Sequence, residues 1–198
     1  MSGYRKVNAT AAARAVPRAR PTVHGAIATY YNAHGGAAAM GAPTTWEQST
    51  GVGGVVQAFT KNGRVTKIYW SHETGAHKVE TWKGIGARYA QLGGPTAFGL
   101  PAKDELPTAT GGAYQNFVRP GTKQTTKIIW SGATGAQPVV ETSGIGRQWS
   151  RDGYEAGAGY PTSPEVKTST GAYQRFRNVK TGETTQYTWT PVSYTHLT

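Results

Sequence analysis

The stretch GIGARYAQLGGPTAFGLP, residues 84–101, contains the pattern that decides the fold. Ile85, Tyr89 and Leu92 follow the i, i+4, i+7 spacing of a helix with one apolar face. The glycines and proline from Gly93 to Pro95 predict the end of that helix. The same order of an apolar residue, an aromatic four positions later, a glycine and a Gly-x-Pro returns at residues 26–43 and 144–161. The chain is therefore predicted to consist of tandem copies of a unit of about 59 residues.

Each copy continues with a predicted β-hairpin. Residues 112–118 alternate between apolar and polar side chains, and residues 125–130 are β-branched and aromatic, so both predict strands. Five further positions recur in all three copies: Glu47, Glu105 and Glu165; Gly54, Gly112 and Gly171; Gln57, Gln115 and Gln174; Phe59, Phe117 and Phe176; and Trp70, Trp130 and Trp189. The recurrence of so many positions in one order supports a true repeat.

The repeat predicts an α+β fold. A unit with one short helix and a hairpin cannot bury its apolar face alone, so neighbouring copies must pack on one another. A pseudo-symmetric ring or propeller-like array would leave few exposed strand edges, and an open array is the alternative. We expect a basic flexible linker at 1–22 and a repeat domain at 23–191. The predicted copies span about 23–80, 81–141 and 142–191, and a truncated or non-native tail follows at 192–198.

The charge is strongly basic, with 21 Lys and Arg against 10 Asp and Glu, a net charge of +11. The first twenty residues contribute five basic residues and no acid, which are Arg5, Lys6, Arg14, Arg18 and Arg20. The remaining excess would favour a polyanionic partner such as nucleic acid, anionic lipid or an acidic wall polymer, or would simply aid solubility.

Several function classes are excluded by composition and pattern. The chain has no cysteine, so thiol catalysis and thiolate metal sites are ruled out. No apolar run is long enough for a membrane span, and the basic N-terminus lacks the apolar core of a signal peptide, so we expect any export signal to lie upstream. There is no nucleophile elbow, phosphate loop or dinucleotide fingerprint.

Two residue types could carry chemistry. The recurring glutamates resemble the carboxylates of glycoside hydrolysis, but they occupy equivalent positions three times, whereas a catalytic pair needs two different environments. Two of them stand in Thr-x-x-Glu, which predicts a structural role like that of a capping box. None of the five histidines recurs or has the spacing of a zinc site. We therefore predict no catalytic residue, no metal and no cofactor.

The aromatic residues and glutamines are the candidates for ligand binding. The recurring Phe and the helix aromatics Tyr31, Tyr89 and Trp149 are predicted to be core. Trp70, Trp130 and Trp189 end a strand and fit either the core, which we favour, or a repeated sugar platform. Gln57, Gln115 and Gln174 either bond sugar hydroxyls or satisfy neighbouring backbone, and we favour the structural role. Trp82 and Trp46 do not recur, so we predict that they are exposed and vary the ligand surface.

The combined order of these motifs resembles the LGFP repeat of actinobacterial cell-wall proteins. The name-giving Leu-Gly-Phe-Pro is represented by Met40-Gly41-Ala42-Pro43, Phe98-Gly99-Leu100-Pro101 and Ala158-Gly159-Tyr160-Pro161, which keep only its Gly and Pro. In that family the repeats stand beside hydrolase or mycolyltransferase domains and are thought to anchor them to envelope polysaccharide. The resemblance thus implies a secreted, wall-associated protein that binds glycan.

The leading hypothesis is a non-catalytic module that binds arabinogalactan or a peptidoglycan-associated polysaccharide. One alternative is an accessory fragment of a cell-wall hydrolase or mycolyltransferase, whose catalytic domain would lie upstream. The other is a basic nucleic-acid-binding protein, which the scattering of basic residues over the repeats argues against.

Overall fold

The computed structural model describes residues 19–191. The predicted linker therefore lies almost wholly outside the described residues, and the predicted tail at 192–198 lies outside them completely. The chain has a mixed α/β fold with six short helices and three antiparallel sheets within residues 19–191, and these sheets form no closed barrel. The α+β prediction is confirmed at this level.

The elements fall into three successive sets, which we call units 1, 2 and 3. Unit 1 contains α1 (Gly25–Ala33), α2 (Gly36–Met40), β1 (Ala42–Pro43), β2 (Gln48–Ser49), β3 (Val55–Lys61), β4 (Arg64–Ser71) and β5 (Gly75–Glu80). Unit 2 contains α3 (Gly84–Gln91), α4 (Gly94–Phe98), β6 (Leu100–Pro101), β7 (Leu106–Pro107), β8 (Ala113–Val118), β9 (Thr125–Ser131) and β10 (Gly135–Val140). Unit 3 contains α5 (Gly144–Arg151), α6 (Tyr154–Gly157), β11 (Tyr160–Pro161), β12 (Val166–Thr168), β13 (Gly171–Arg177) and β14 (Thr184–Trp189).

The local predictions for unit 2 are largely confirmed. The predicted helix and both hairpin strands match α3, β8 and β9 closely. The helix ends where expected, and Gly93 adopts a left-handed conformation there. A second helix, α4, begins immediately afterwards with Pro95 in its first turn, and the local sequence pattern did not predict it. Beyond the predicted hairpin, the segment 135–140 forms a third strand, β10, paired with β9.

Each sheet is built around its central strand. In unit 1, β3 pairs with β4 on one edge and with the two short strands β1 and β2 on the other, and β5 extends the sheet beyond β4. The sheet of unit 2 has the same order. In unit 3, β13 pairs with β11, β12 and β14. The helix pair of each unit thus lies directly before its sheet in the chain.

The helix aromatic explains the recurrence of the Gly-x-Pro motif. Tyr89 donates a hydrogen bond to the Gly99 carbonyl at 2.6 Å, and Tyr31 makes the same bond to Gly41 at 2.7 Å. In unit 3 the indole of Trp149 donates to Gly159 at 2.9 Å. At Gly99, φ is +82°, and a Cβ would lie 2.1 Å from the Val118 carbonyl oxygen. Only glycine therefore fits this position.

The hydrophobic cores join neighbouring units. Tyr69 and Val79 of unit 1 pack in one cluster with Ile85, Tyr89 and Phe117 of unit 2. In the same way, Ile129 and Val139 of unit 2 pack in a cluster with residues of unit 3, including Ile145, Trp149 and Phe176. The prediction that the recurring Phe and the helix aromatics are core is confirmed, as is the expectation that neighbouring units bury one another's apolar surface.

Candidate functional site

The recurring glutamines hold neighbouring segments together. The amide of Gln115 donates to the Lys78 carbonyl of unit 1 and to the Lys103 carbonyl of its own unit, both at 2.8 Å. Gln174 repeats this arrangement with Pro138 of unit 2 and Ser163 of unit 3. In unit 1, Gln57 bonds the carbonyls of Thr22 and Thr45.

All three glutamines are buried, with at most 1% of the residue exposed. Their amides are therefore inaccessible to a polysaccharide. Gln57, Gln115 and Gln174 therefore do not belong to the candidate ligand surface, and they have the structural role that was the favoured interpretation of the sequence.

Two of the recurring tryptophans, Trp130 and Trp189, are surface residues, so the favoured core interpretation was wrong for them, whereas Trp70 packs against the core of unit 1. Trp130 is 36% exposed and Trp189 is 45% exposed. The buried part of each indole lies against the first glycine of the same unit's helix pair. A Cβ on Gly84 would lie 2.7 Å from Trp130 Cδ1, and a Cβ on Gly144 would lie 2.3 Å from Trp189 Cδ1. Trp70 is partly exposed at the matching position of unit 1.

A small cavity lies beside Trp130 at the start of unit 2. It has a volume of about 240 Å³, and Trp82 and Trp130 both contribute to its wall. Lys83, Glu105 and Ala113 also line it. The structure thus brings together two of the predicted ligand-binding tryptophans, one recurring and one not. We call this cavity the tryptophan pocket.

The charges of the tryptophan pocket form a fixed network. Lys83 Nζ lies 2.6 Å from a Glu80 carboxylate oxygen and 3.6 Å from a Glu105 carboxylate oxygen. Partial burial lowers the pKa of Lys83, but the two carboxylates outweigh this effect and raise the pKa above its ordinary value. The Arg64 guanidinium lies 4.4 Å from the centre of the Trp82 ring system. The pocket therefore combines aromatic faces with positioned donors and acceptors.

An equivalent cavity occurs in unit 1. It has a volume of about 210 Å³ and is lined by Trp70, Glu47, Val55 and the start of α1. The Thr-x-x-Glu pattern predicted a structural role for the recurring glutamates, and in unit 1 it does not cap a helix. Thr44 lies in the loop between β1 and β2, and its hydroxyl donates to the Ala58 carbonyl of β3. The recurrence of the glutamates together with the tryptophans was the sequence signal that could have located the pocket.

Trp46 lies apart from both cavities. Its side chain is exposed, as predicted, with 50% of the residue accessible. It contributes to neither the Trp70 cavity nor the tryptophan pocket. Trp46 therefore serves as a natural comparison for Trp82, which is 42% exposed and lines the pocket.

A second charged cluster joins units 1 and 2. The Asp104 carboxylate accepts hydrogen bonds from Tyr30 Oη at 2.5 Å and from the Lys78 backbone N–H at 3.1 Å, and it lies 3.3 Å from His77 Nδ1. Burial raises the pKa of Asp104, but the bonds from His77, Tyr30 and Lys78 outweigh it, and the net pKa is lowered. Burial, reinforced by Asp104, raises the pKa of Tyr30. Non-recurring residues therefore stabilise this junction.

Comparison with known protein families agrees with this architecture. The LGFP repeat family model matches residues 40–96 and 98–157. Because these matches cover more than half of the chain, the chain belongs to the LGFP repeat family. Each match begins near a Gly-x-Pro and continues through a sheet into the helix pair of the next unit.

No curated protein matched the chain. Among the described residues, no helix is long and apolar enough to cross a membrane. No group of three or more metal-ligating side chains is positioned to hold an ion within residues 19–191.

Proposed function

We propose that this protein is a non-catalytic module that binds a cell-wall polysaccharide on the outside of the cell. The expected ligand is arabinogalactan or a peptidoglycan-associated polysaccharide. The observation that carries the proposal is the tryptophan pocket, in which Trp82 and Trp130, each more than a third exposed, line one small cavity with Lys83 and Glu105.

The chemistry of the pocket suits a sugar ring. The C–H faces of a sugar pack against flat aromatic surfaces, and its hydroxyl groups both donate and accept hydrogen bonds. Glu105 supplies acceptors and Lys83 supplies donors, and their ion pair holds both groups in position before a ligand arrives. Positioned polar groups beside apolar walls are typical of small-molecule sites.

The same ion pairs support a binding role in preference to hydrolysis. Glycoside hydrolysis needs a carboxyl group that gives its proton to the leaving sugar and a second carboxylate with another role. Glu80 and Glu105 instead share one ammonium group, that of Lys83. This arrangement favours fixed charge over proton transfer.

Repetition would strengthen weak binding. We infer that unit 3 is a third copy of the repeat, because its helix pair, central strand and Trp189 correspond to those of units 1 and 2. The core clusters in residues 19–191 link only consecutive units, which favours an open array over a ring. Several shallow sites along one chain would engage a repetitive polysaccharide with an avidity above that of any one site.

The test is retention on purified cell walls and on isolated arabinogalactan. The wild-type chain is expected to sediment with both materials, and Trp82→Ala is expected to weaken retention by roughly tenfold, equivalent to about 1.4 kcal/mol of lost ring contact. Trp46→Ala is the matched control, since it removes an indole of similar exposure outside the pocket. Equal retention of the two variants, or no retention of the wild type, would overturn the proposal.

A further inference from the structure

A large cleft lies between units 2 and 3, away from the tryptophan pocket. It has a volume of about 950 Å³. Its walls come from Leu92 just after α3, α4, the loop before β9 and β10 of unit 2, and from α5 with the segment before it and residues 164–167 around the start of β12 of unit 3. This volume falls within the range of cavities that hold small organic ligands. We call it the 2–3 cleft.

The floor of the 2–3 cleft is apolar. Leu92, Phe98, Pro138 and Val140 lie together along it. Leu92, Phe98 and Val140 are each partly exposed to solvent. A contiguous apolar surface that the fold leaves open to water is characteristic of a binding site.

The matching surface of unit 1 is polar, which shows that the repeat framework does not require an apolar floor. That cleft is smaller, about 470 Å³, and His34, Lys78 and Glu80 line it. These residues occupy the positions that Leu92, Pro138 and Val140 occupy in unit 2. The backbone around both clefts has the same element order. Leu92, Pro138 and Val140 are therefore specific to the 2–3 cleft, whereas Phe98 corresponds to the apolar Met40 of unit 1.

The rim of the 2–3 cleft is basic. Lys123, Arg147 and Lys167 line it together with a single carboxylate, Glu165. Glu165 is already paired with Lys167. Among residues 19–191, no carboxylate pairs with Lys123 or Arg147, and Arg147 donates only to the Thr142 carbonyl. Two positive charges at the mouth of an apolar cleft are thus uncompensated.

From the apolar floor and the basic rim, we propose that the 2–3 cleft binds a single-chain anionic amphiphile. The acyl chain lies along Leu92, Phe98 and Val140, and the carboxylate head is held at the rim by Arg147 and Lys123. An uncharged apolar chain would leave the basic rim without an ionic partner, and a small anion would leave the apolar floor exposed to water. The site is independent of the tryptophan pocket, so it does not rest on the proposed glycan function.

The experiment is calorimetric titration of the whole chain with decanoate below its micelle concentration. Saturable binding of one decanoate per chain is expected. Decanol, which lacks the charge, should bind at least tenfold more weakly, and butyrate, which lacks the chain, should not bind measurably. Failure of decanoate to bind, or equal binding of decanoate and decanol, would refute the proposal.

Two variants test the location. Val140→Glu introduces the residue found at the matching position of unit 1, so the framework accommodates it, and it should weaken decanoate binding by at least tenfold. Leu92→His introduces the unit 1 residue at a second position and gives an independent result if the first variant folds poorly by circular dichroism. Lys61→Ala, in the unit 1 cleft, is the control and should bind like the wild type. Unchanged decanoate binding in both cleft variants would overturn the assignment.

Binding to bilayers distinguishes a single-chain ligand from a membrane surface. Sedimentation with phosphatidylglycerol vesicles without binding of monomeric decanoate would indicate a membrane surface as the partner and would refute the single-chain proposal. Wall retention measured on Val140→Glu should remain normal, since the tryptophan pocket is unchanged, so failure of one proposal leaves the other open to its own test.

Discussion

Replacing Gln115 with leucine should destabilise the junction between units 1 and 2. The Gln115 amide is the donor for two carbonyls, those of Lys78 and Lys103, each at 2.8 Å, and the residue is 1% exposed. Leucine has similar bulk but no donor, so both carbonyls lose this partner. A buried polar group left without its partner costs roughly 1–3 kcal/mol, so the loss of both bonds should cost about 2–4 kcal/mol.

Urea denaturation followed by circular dichroism measures this change in the free energy of unfolding. Gln91→Leu is the matched control, because Gln91 lies exposed on α3 and its side chain accepts only from the Arg88 guanidinium. The control should change the free energy of unfolding by no more than about 0.5 kcal/mol. If Gln115→Leu is equally harmless, the glutamine does not hold the two units together, and the structural role assigned to the whole recurring set fails.

Three other substitutions have defined outcomes. Gly99→Ala should cost several kcal/mol in the same urea assay, because its Cβ would lie 2.1 Å from the Val118 carbonyl oxygen, and near-wild-type stability would contradict this geometry. Tyr89→Phe removes only the bond to Gly99 and should cost about 1–2 kcal/mol; a smaller loss than in Gln91→Leu would show that the bond is dispensable. Asp104 has a lowered pKa in the folded chain, so its stabilisation is present above the unfolded pKa of about 3.9 and is lost as pH falls through the folded pKa. Asp104→Asn should therefore lower thermal stability at pH 7 and make thermal stability fall less steeply in acid. An unchanged pH dependence would show that Asp104 does not contribute to the acid destabilisation.

The repeat and most of its elements follow from local sequence pattern. The helix over residues 84–91 needs only the spacing of Ile85 and Tyr89, and the strands need only their alternation and β-branched residues. The Gly-x-Pro glycine was also predictable as a backbone requirement, since its left-handed conformation is a local property. The position of the additional strand over 135–140 did not follow from local pattern, because its strand character comes from pairing with its neighbour β9.

The candidate site could not be located from the sequence alone, because its location depends on which recurring side chains become buried in the folded chain. Trp130, Gln115 and Glu105 recur equally in the sequence. The sequence pattern therefore could not show that Gln115 is buried while Trp130 and Glu105 line a pocket. The fold separates them, because Gln115 bonds the preceding unit and is buried, whereas Trp130 lies near the end of β9 against Gly84 and remains partly exposed. Burial depends on how the chain packs. A repeated sequence pattern shows which positions recur, but it does not show which residues surround them in the fold.

The sequence by itself therefore determined the family, the repeat and the local elements of this protein, since these depend on residues close together in the chain. Only the tertiary structure decided that Trp82 and Trp130 share one cavity, and that the cleft between units 2 and 3 is apolar below a basic rim. Both sites combine side chains from segments that are distant in sequence, and such combinations arise only when the chain folds.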